Sequence, residues 1–175
     1  MQQPPAPASD LQDVAPHLRL PREKLDPNAK RVWIIGDIFT FFILGATVFG
    51  FAAAGRWLLD AHWGWVAGPT AIVVVLGLLW TVLTPPIRYN QWRFEIREDE
   101  VDLLHGIVVK TRQIVPMSRI QHVDTVRGPI QRRYGLASVV FYTAAGSMTI
   151  PELSDERAAS VRDQIAALAK VHDDL

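Results

Sequence analysis

Six cations crowd one stretch of this chain. Lys110, Arg112, Arg119, Arg127, Arg132 and Arg133 fall within residues 105–134, where Asp124 is the only acid, a local charge of +5. Residues 88–175 as a whole balance 12 basic against 12 acidic groups, so the cluster is not a by-product of composition. Guanidinium and ammonium groups suit phosphate or carboxylate oxygens. Lys110, Arg112, Arg127 and Arg133 are therefore candidate anion- or lipid-binding residues, since a basic residue at an anionic leaflet contributes about 1 kcal/mol. The competing expectation is a solvated face, because exposed charges do little singly. Asp37 is the other ionisable group in an unusual setting. It stands just before an apolar run and is a candidate intramembrane polar residue: a relay group, a helix-pairing group, or a marker of the inner end of a span.

Other chemistries find no support. The 175 residues include no cysteine, which removes disulfides, thiolate metal sites and a cysteine nucleophile. His105 and His122 lack the spacing of a metal pair. Ser118 and Ser138 have no nucleophile-elbow glycines around them. Neither a Walker nor a Rossmann glycine pattern occurs. No catalytic residue, metal or cofactor is expected, and the chain reads as a non-enzyme. The basic stretch lacks aromatic interleaving, so nucleic acid is not an expected partner.

The elements that position these residues begin in a membrane. Trp63 to Ile87 is a run of 25 residues without a charge or a histidine, and Ile38 to Gly55 is a second uncharged run of 18. About 20 helical residues cross the hydrocarbon core of a bilayer. The expected organisation is a mostly disordered N-terminal segment over 1–31 with a short ordered piece near Leu18 to Leu25, a transmembrane hairpin over 32–84 and a folded domain over 88–172. The link between the spans, Gly55 to His62, is short enough to make the helices antiparallel neighbours. Thr84-Pro85-Pro86 is expected to end the second helix. Gly45, Gly50 and Gly55 in the first span, and Gly64, Gly68 and Gly77 in the second, would allow close contact.

Arg19, Arg22, Lys24, Lys30 and Arg31 precede the first span; Arg88, Arg93 and Arg97 follow the second; the link holds only Arg56. That asymmetry predicts a multi-pass protein of the cell (inner) membrane with both termini in the cytoplasm. Trp33, Trp57, Trp63, Trp65 and Trp80 lie near the span ends, where an indole prefers the headgroup level.

From Tyr89 the period changes. Trp92, Phe94 and Ile96 alternate with Arg93, Glu95 and Arg97, a half-buried strand. Val101–Leu104 and Ile107–Val115 follow, joined at His105-Gly106. Residues 120–126 are ambiguous, with apolar side chains at 120, 123 and 126, close to helical spacing. Gly128-Pro129 opens a turn or short helix through Tyr134-Gly135. Leu136–Thr143 reads as a buried strand and Met148–Ile150 as another. Pro151–Leu153 then leads into a helix capped by Ser154, with a stripe of Ala158, Val161, Ile165, Leu168 and Val171 or His172. The fold class is α+β: a two-helix transmembrane hairpin, then a small antiparallel β sandwich or barrel closed by a C-terminal helix.

Particular words sharpen this. Val115-Pro116-Met117-Ser118-Arg119-Ile120-Gln121-His122-Val123-Asp124 resembles a signature of the bacterial membrane-anchored pleckstrin-homology proteins of the YdbS-like family. Gly128-Pro129-Ile130-Gln131-Arg132-Arg133-Tyr134-Gly135-Leu136-Ala137 resembles the second signature of that family. Thr143-Ala144-Ala145-Gly146, Ile150-Pro151-Glu152-Leu153-Ser154 and Leu25-Asp26-Pro27 match further parts, so the resemblance covers about residues 25–170. It implies a PH-like domain and, by analogy, a place in envelope maintenance or stress resistance. Arg119, Gln121 and Arg132, three polar residues within the signatures, are candidate fold or assembly contacts. The expected partners are membrane lipids, a membrane-protein partner or a second copy. The leading reading is protein interaction or self-assembly at the inner leaflet. The alternative is an anionic-lipid head-group module, and the third a transport or enzyme-complex subunit resting on Asp37.

Overall fold

The computed structural model describes residues 20–59, 62 and 64–173. The expectation of disorder over residues 1–19, and the placement of Trp63 in the link, lie outside the described residues. Two long helices, α1 (Ala29–Leu59) and α2 (Gly64–Gln91), form the hairpin. Each has an 18-residue window of mean hydropathy 2.0, and only 17 % of that window is buried. A core helix of a water-soluble protein buries most of its apolar surface, so this exposure fits lipid. Two hydroxyls inside the first span are satisfied within their own helix: Thr40 and Thr47 donate to the carbonyls of Gly36 and Ile43 at 2.9 and 2.8 Å.

The helices cross closely at one glycine. A Cβ on Gly77 would meet the Phe41 ring at 2.8 Å, whereas one on Gly45, Gly50, Gly55 or Gly68 would have nothing within 4 Å. The expectation of several glycine contacts thus reduces to Gly77. The second helix also runs past Pro85 and Pro86 to Gln91. The prolines leave the carbonyls of Thr81 and Val82 without intrahelical donors, but the turn beyond is pinned from outside. The Tyr89 hydroxyl donates to the Leu25 carbonyl at 3.3 Å, Lys30 lies 4.3 Å over the Tyr89 ring, and Arg88 lies 4.3 Å over the Trp33 ring.

Two three-stranded antiparallel sheets follow. The first holds β1 (Arg93–Ile96), β2 (Glu100–His105) and β3 (Thr111–Pro116). A 3-10 turn, Met117–Arg119, leads to β4 (Ile120–Val126), the short helix α3 (Pro129–Arg133), β5 (Leu136–Thr143), β6 (Gly146–Ser154) and the terminal helix α4 (Asp155–Asp173). Phe94, Val101, Leu103 and Val115 of the first sheet face Val139, Phe141 and Ile150 of the second, with Ala158, Val161 and Ile165 of α4 closing the core. The Ser154 hydroxyl accepts from the Arg157 amide at 3.4 Å, as an N-cap does. Leu168 is half-buried and Val171 exposed, so the stripe ends there; the His172 side chain lies outside the described residues.

Two strands carry bulges. The register of β4 on β5 shifts between Ile120 and His122. Gln121 is thus an extra residue, which explains why apolar side chains three apart both face inward from a strand. β6 shifts opposite Ala137 to Val139, at Pro151-Glu152. It therefore continues to Ser154 rather than stopping at Ile150.

Residues 20–31 are not a disordered lead-in. Glu23 and Phe94 exchange backbone hydrogen bonds at 3.0 Å in both directions. Leu25 and Ala29 are buried in the domain core together with Trp33 and Trp92, and Arg157 of α4 pairs with Glu23. The core crosses the boundaries expected at residues 31 and 88.

Candidate functional site

The expected basic cluster does not assemble into one surface. Asp102 has a fully buried side chain, and Arg112 grips it through Nε and Nη2 at 3.0 and 2.6 Å. Arg97 reaches the same carboxylate at 3.3 Å and Glu95 at 2.8 Å. Burying a carboxylate is costly without such partners, so Arg112 is held in the fold. Arg127 pairs with Asp155 at 3.2 Å, tying the end of β4 to the start of α4. Lys110 stands exposed on the loop between β2 and β3, and Arg132 and Arg133 are exposed on α3. Asp37 is partly buried near the N-terminal end of α1, with the charge of Arg88 acting on it across the hairpin.

Arg119 and Gln121 do meet in one place. They line an open groove of about 860 Å³, together with His122, Thr143–Ala145, Ala166 and Lys170. β4 forms one wall and α4 the other. β4 is an edge strand of its sheet, and its bulge turns Gln121 and His122 outward beside the groove. His122 is exposed on β4; its Nε2 lies 2.9 Å from Asp124 and its ring 5.8 Å from that of Tyr142. His105 stacks on Trp92 with ring centroids 5.2 Å apart. No group of three metal-ligating side chains occurs among the described residues.

The second signature builds a polar node beneath the membrane helices. The Gln131 side chain accepts from the Gly128 amide at 2.7 Å, capping α3, and donates to Ser138 at 2.8 Å. Gln131 and Trp33, the latter at the base of α1, both act on the Glu152 carboxyl. Glu152 is 5 % exposed and sits at φ 52°, a left-handed conformation that a non-glycine residue adopts at a cost. Burial pushes its carboxyl above the ordinary carboxylate range, against the opposing pull of Gln131, Arg88 and Trp33. Its backbone carbonyl accepts from Asp26 at 3.0 Å. Glu152 therefore ties the pre-membrane segment to β6 and sits where α1 and α3 approach that strand. Sequence reasoning placed it only inside a matching word; a proline followed by an acid at a strand end was the available signal.

A membrane hairpin carrying two packed sheets and a terminal helix is the arrangement of a membrane-anchored PH-like protein. Residues 39–169 match the bacterial PH domain family, and the chain belongs to it. It is 39 % identical over 156 residues to the UPF0699 transmembrane protein YdbS of Bacillus subtilis (strain 168), covering 88 % of this chain and 96 % of that one. A second relative from the same organism, the UPF0699 transmembrane protein YdbT, is 24 % identical over 98 residues, 53 % of this chain and 20 % of that longer protein. No solved structure matches the chain.

Proposed function

We propose that this membrane protein is a non-enzymatic interaction module whose PH-like domain faces the cytoplasm at the inner leaflet. It receives an extended protein segment, from a membrane partner or a second copy, in the groove between β4 and α4. The observation that carries this reading is the groove running beside an edge strand. An edge strand offers unpaired backbone donors and acceptors to an added strand. Arg119 and Lys170 would favour an acidic segment, and Gln121 adds a neutral hydrogen-bonding group. The Lys/Arg asymmetry supports the cytoplasmic orientation. Envelope maintenance or stress resistance is the setting that the family resemblance suggests.

The anionic head-group reading is weaker, because two of its four residues, Arg112 and Arg127, already pair with Asp102 and Asp155. The transport-subunit reading rests on Asp37, which has the charge of Arg88 beside it.

Photocrosslinking of the full chain in native membranes tests the proposal. A photoreactive residue at Gln121 is expected to give discrete protein adducts, at twice the chain mass if the occupant is a second copy. Ala166→Trp, which fills the groove from an exposed position, should abolish them without lowering the melting temperature. Adducts indifferent to Ala166→Trp would overturn the groove as the site.

A further inference from the structure

The loop between β2 and β3 carries apolar side chains that the domain does not use. Val108 is 92 % exposed and Val109 75 % exposed. Side chains of this type at the tip of a loop, turned away from their own core, call for an apolar neighbour outside the fold.

The topology says where that tip lies. β1 leaves α2 after a single residue, Trp92. β2 returns antiparallel, with Leu104 opposite Arg93, so His105 comes back level with Trp92 and stacks on it. The chain then turns beside the C-terminal end of α2. Gly106, at φ +117°, makes the turn; a Cβ there would collide with the Val109 carbonyl, so the loop is tightly closed. The side-chain amide of Gln91, the last residue of α2, faces the carbonyls of Gly106 and Ile107. Gln91 lies four residues beyond Ile87, the end of the charge-free run, or about 6 Å along the helix axis. The loop is thus docked on the part of α2 that emerges from the hydrocarbon.

We propose that Val108 and Val109 form a wedge that inserts into the headgroup–acyl boundary of the leaflet from which α2 emerges, with Lys110 beside it at phosphate level. The occupant of this surface is lipid. Continuity with the membrane-spanning helix argues for it, because the same chain that places Ile87 in hydrocarbon holds the loop against Gln91. An apolar pair flanked by a cation is also the composition of an interfacial contact. The inference rests on the membrane spans alone and is independent of the groove. Its consequence is mechanical: a wedge beside the hairpin fixes the tilt of the domain, and with it the direction in which the groove opens.

The chain holds no cysteine, so single labelling sites are available without altering the protein. A fluorophore at Val108→Cys or Val109→Cys is read in nanodiscs of phosphatidylcholine, one chain per disc, with a nitroxide quencher placed shallow in the acyl chains. Glu98→Cys is the control. It lies in the turn at the far end of the β1–β2 hairpin, about 20 Å away by the rise of the strand. Quenching at 108 and 109 is expected to exceed that at 98 by about threefold or more, as for side chains at the acyl boundary. A label at Lys110→Cys should lose most of its quenching when Val108 and Val109 are both changed to Asp. Equal quenching at 108 and 98 would overturn the wedge. So would shielding of the 108 label that appears only with two chains per disc, since the neighbour would then be a second copy rather than lipid.

Discussion

Glu152 joins three costs in one residue: a carboxyl out of water, a left-handed backbone, and an Oε2 with no hydrogen-bond partner among the described residues. Burial raises its pKa in the folded chain. Between the unfolded and folded values the folded state keeps a proton that the unfolded chain has lost. Stability therefore falls as pH rises through that window and stays lower above it. Glu152→Gln removes this titration. The melting temperature of Glu152→Gln minus that of the wild type should grow more positive from pH 4 to pH 8. A difference that is flat across that range would mean the buried carboxyl does not titrate abnormally. The residues around it were unevenly legible. Gln131 lay inside a signature without being singled out, because its tasks of capping α3, holding Ser138 and lying against Glu152 depend on strand neighbours that no local spacing reveals.

At the scale of elements, local rules carried far where burial was one-sided. The stripe Ala158, Val161 and Ile165 and the alternation around Phe94 each match a buried face, because side-chain period alone decides which residues can share a core. They failed at β4, where the bulge at Gln121 breaks the period, and at Pro85-Pro86, where tertiary contacts hold a helix beyond its breakers. The hairpin crossing makes a sharper case. Phe41 occupies the space that a side chain at Gly77 would need, so Gly77→Val should weaken the hairpin by about 1–3 kcal/mol through overpacking. Phe41→Ala introduced with Gly77→Val should recover part of that loss. Reversible unfolding in mixed micelles measures both. An unchanged Gly77→Val protein would remove the close crossing as a source of hairpin stability.

For the whole molecule, the division into anchor and domain is less clean than the sequence suggests. Leu25, Ala29 and Trp33 complete a core whose other members lie beyond residue 88. Leu25→Ala should then cost about 2–4 kcal/mol, as for a buried leucine elsewhere, and lower the melting temperature of the full chain. Residues 88–175 expressed alone should give a poorly dispersed amide spectrum. A well-dispersed spectrum with an unchanged melting temperature would show that the pre-membrane segment is not needed for the fold. Because that segment, the helix ends and the sheets share one core, the domain has little freedom to turn relative to the hairpin. That coupling would let a loop wedge at the leaflet govern the direction in which the groove between β4 and α4 opens.

The sequence by itself determined the two spans, the strand-rich second half, the closing helix and the presence of six neighbouring cations. Each is a matter of composition or period, and a bilayer or a core rewards the same pattern whatever the partner is. Only the tertiary structure decided which cations are held in the fold and which stand free of the core. Arg112 is fixed by Asp102 on the adjacent strand and Arg127 by Asp155 at the head of α4, whereas Lys110 is carried on an exposed loop. It also decided that residues 23–33 belong to the core, and that the apolar tip at Val108 and Val109 returns to the end of α2. These outcomes turn on register, bulges and the return direction of a strand, which bring residues together across sequence distances that local physics does not encode.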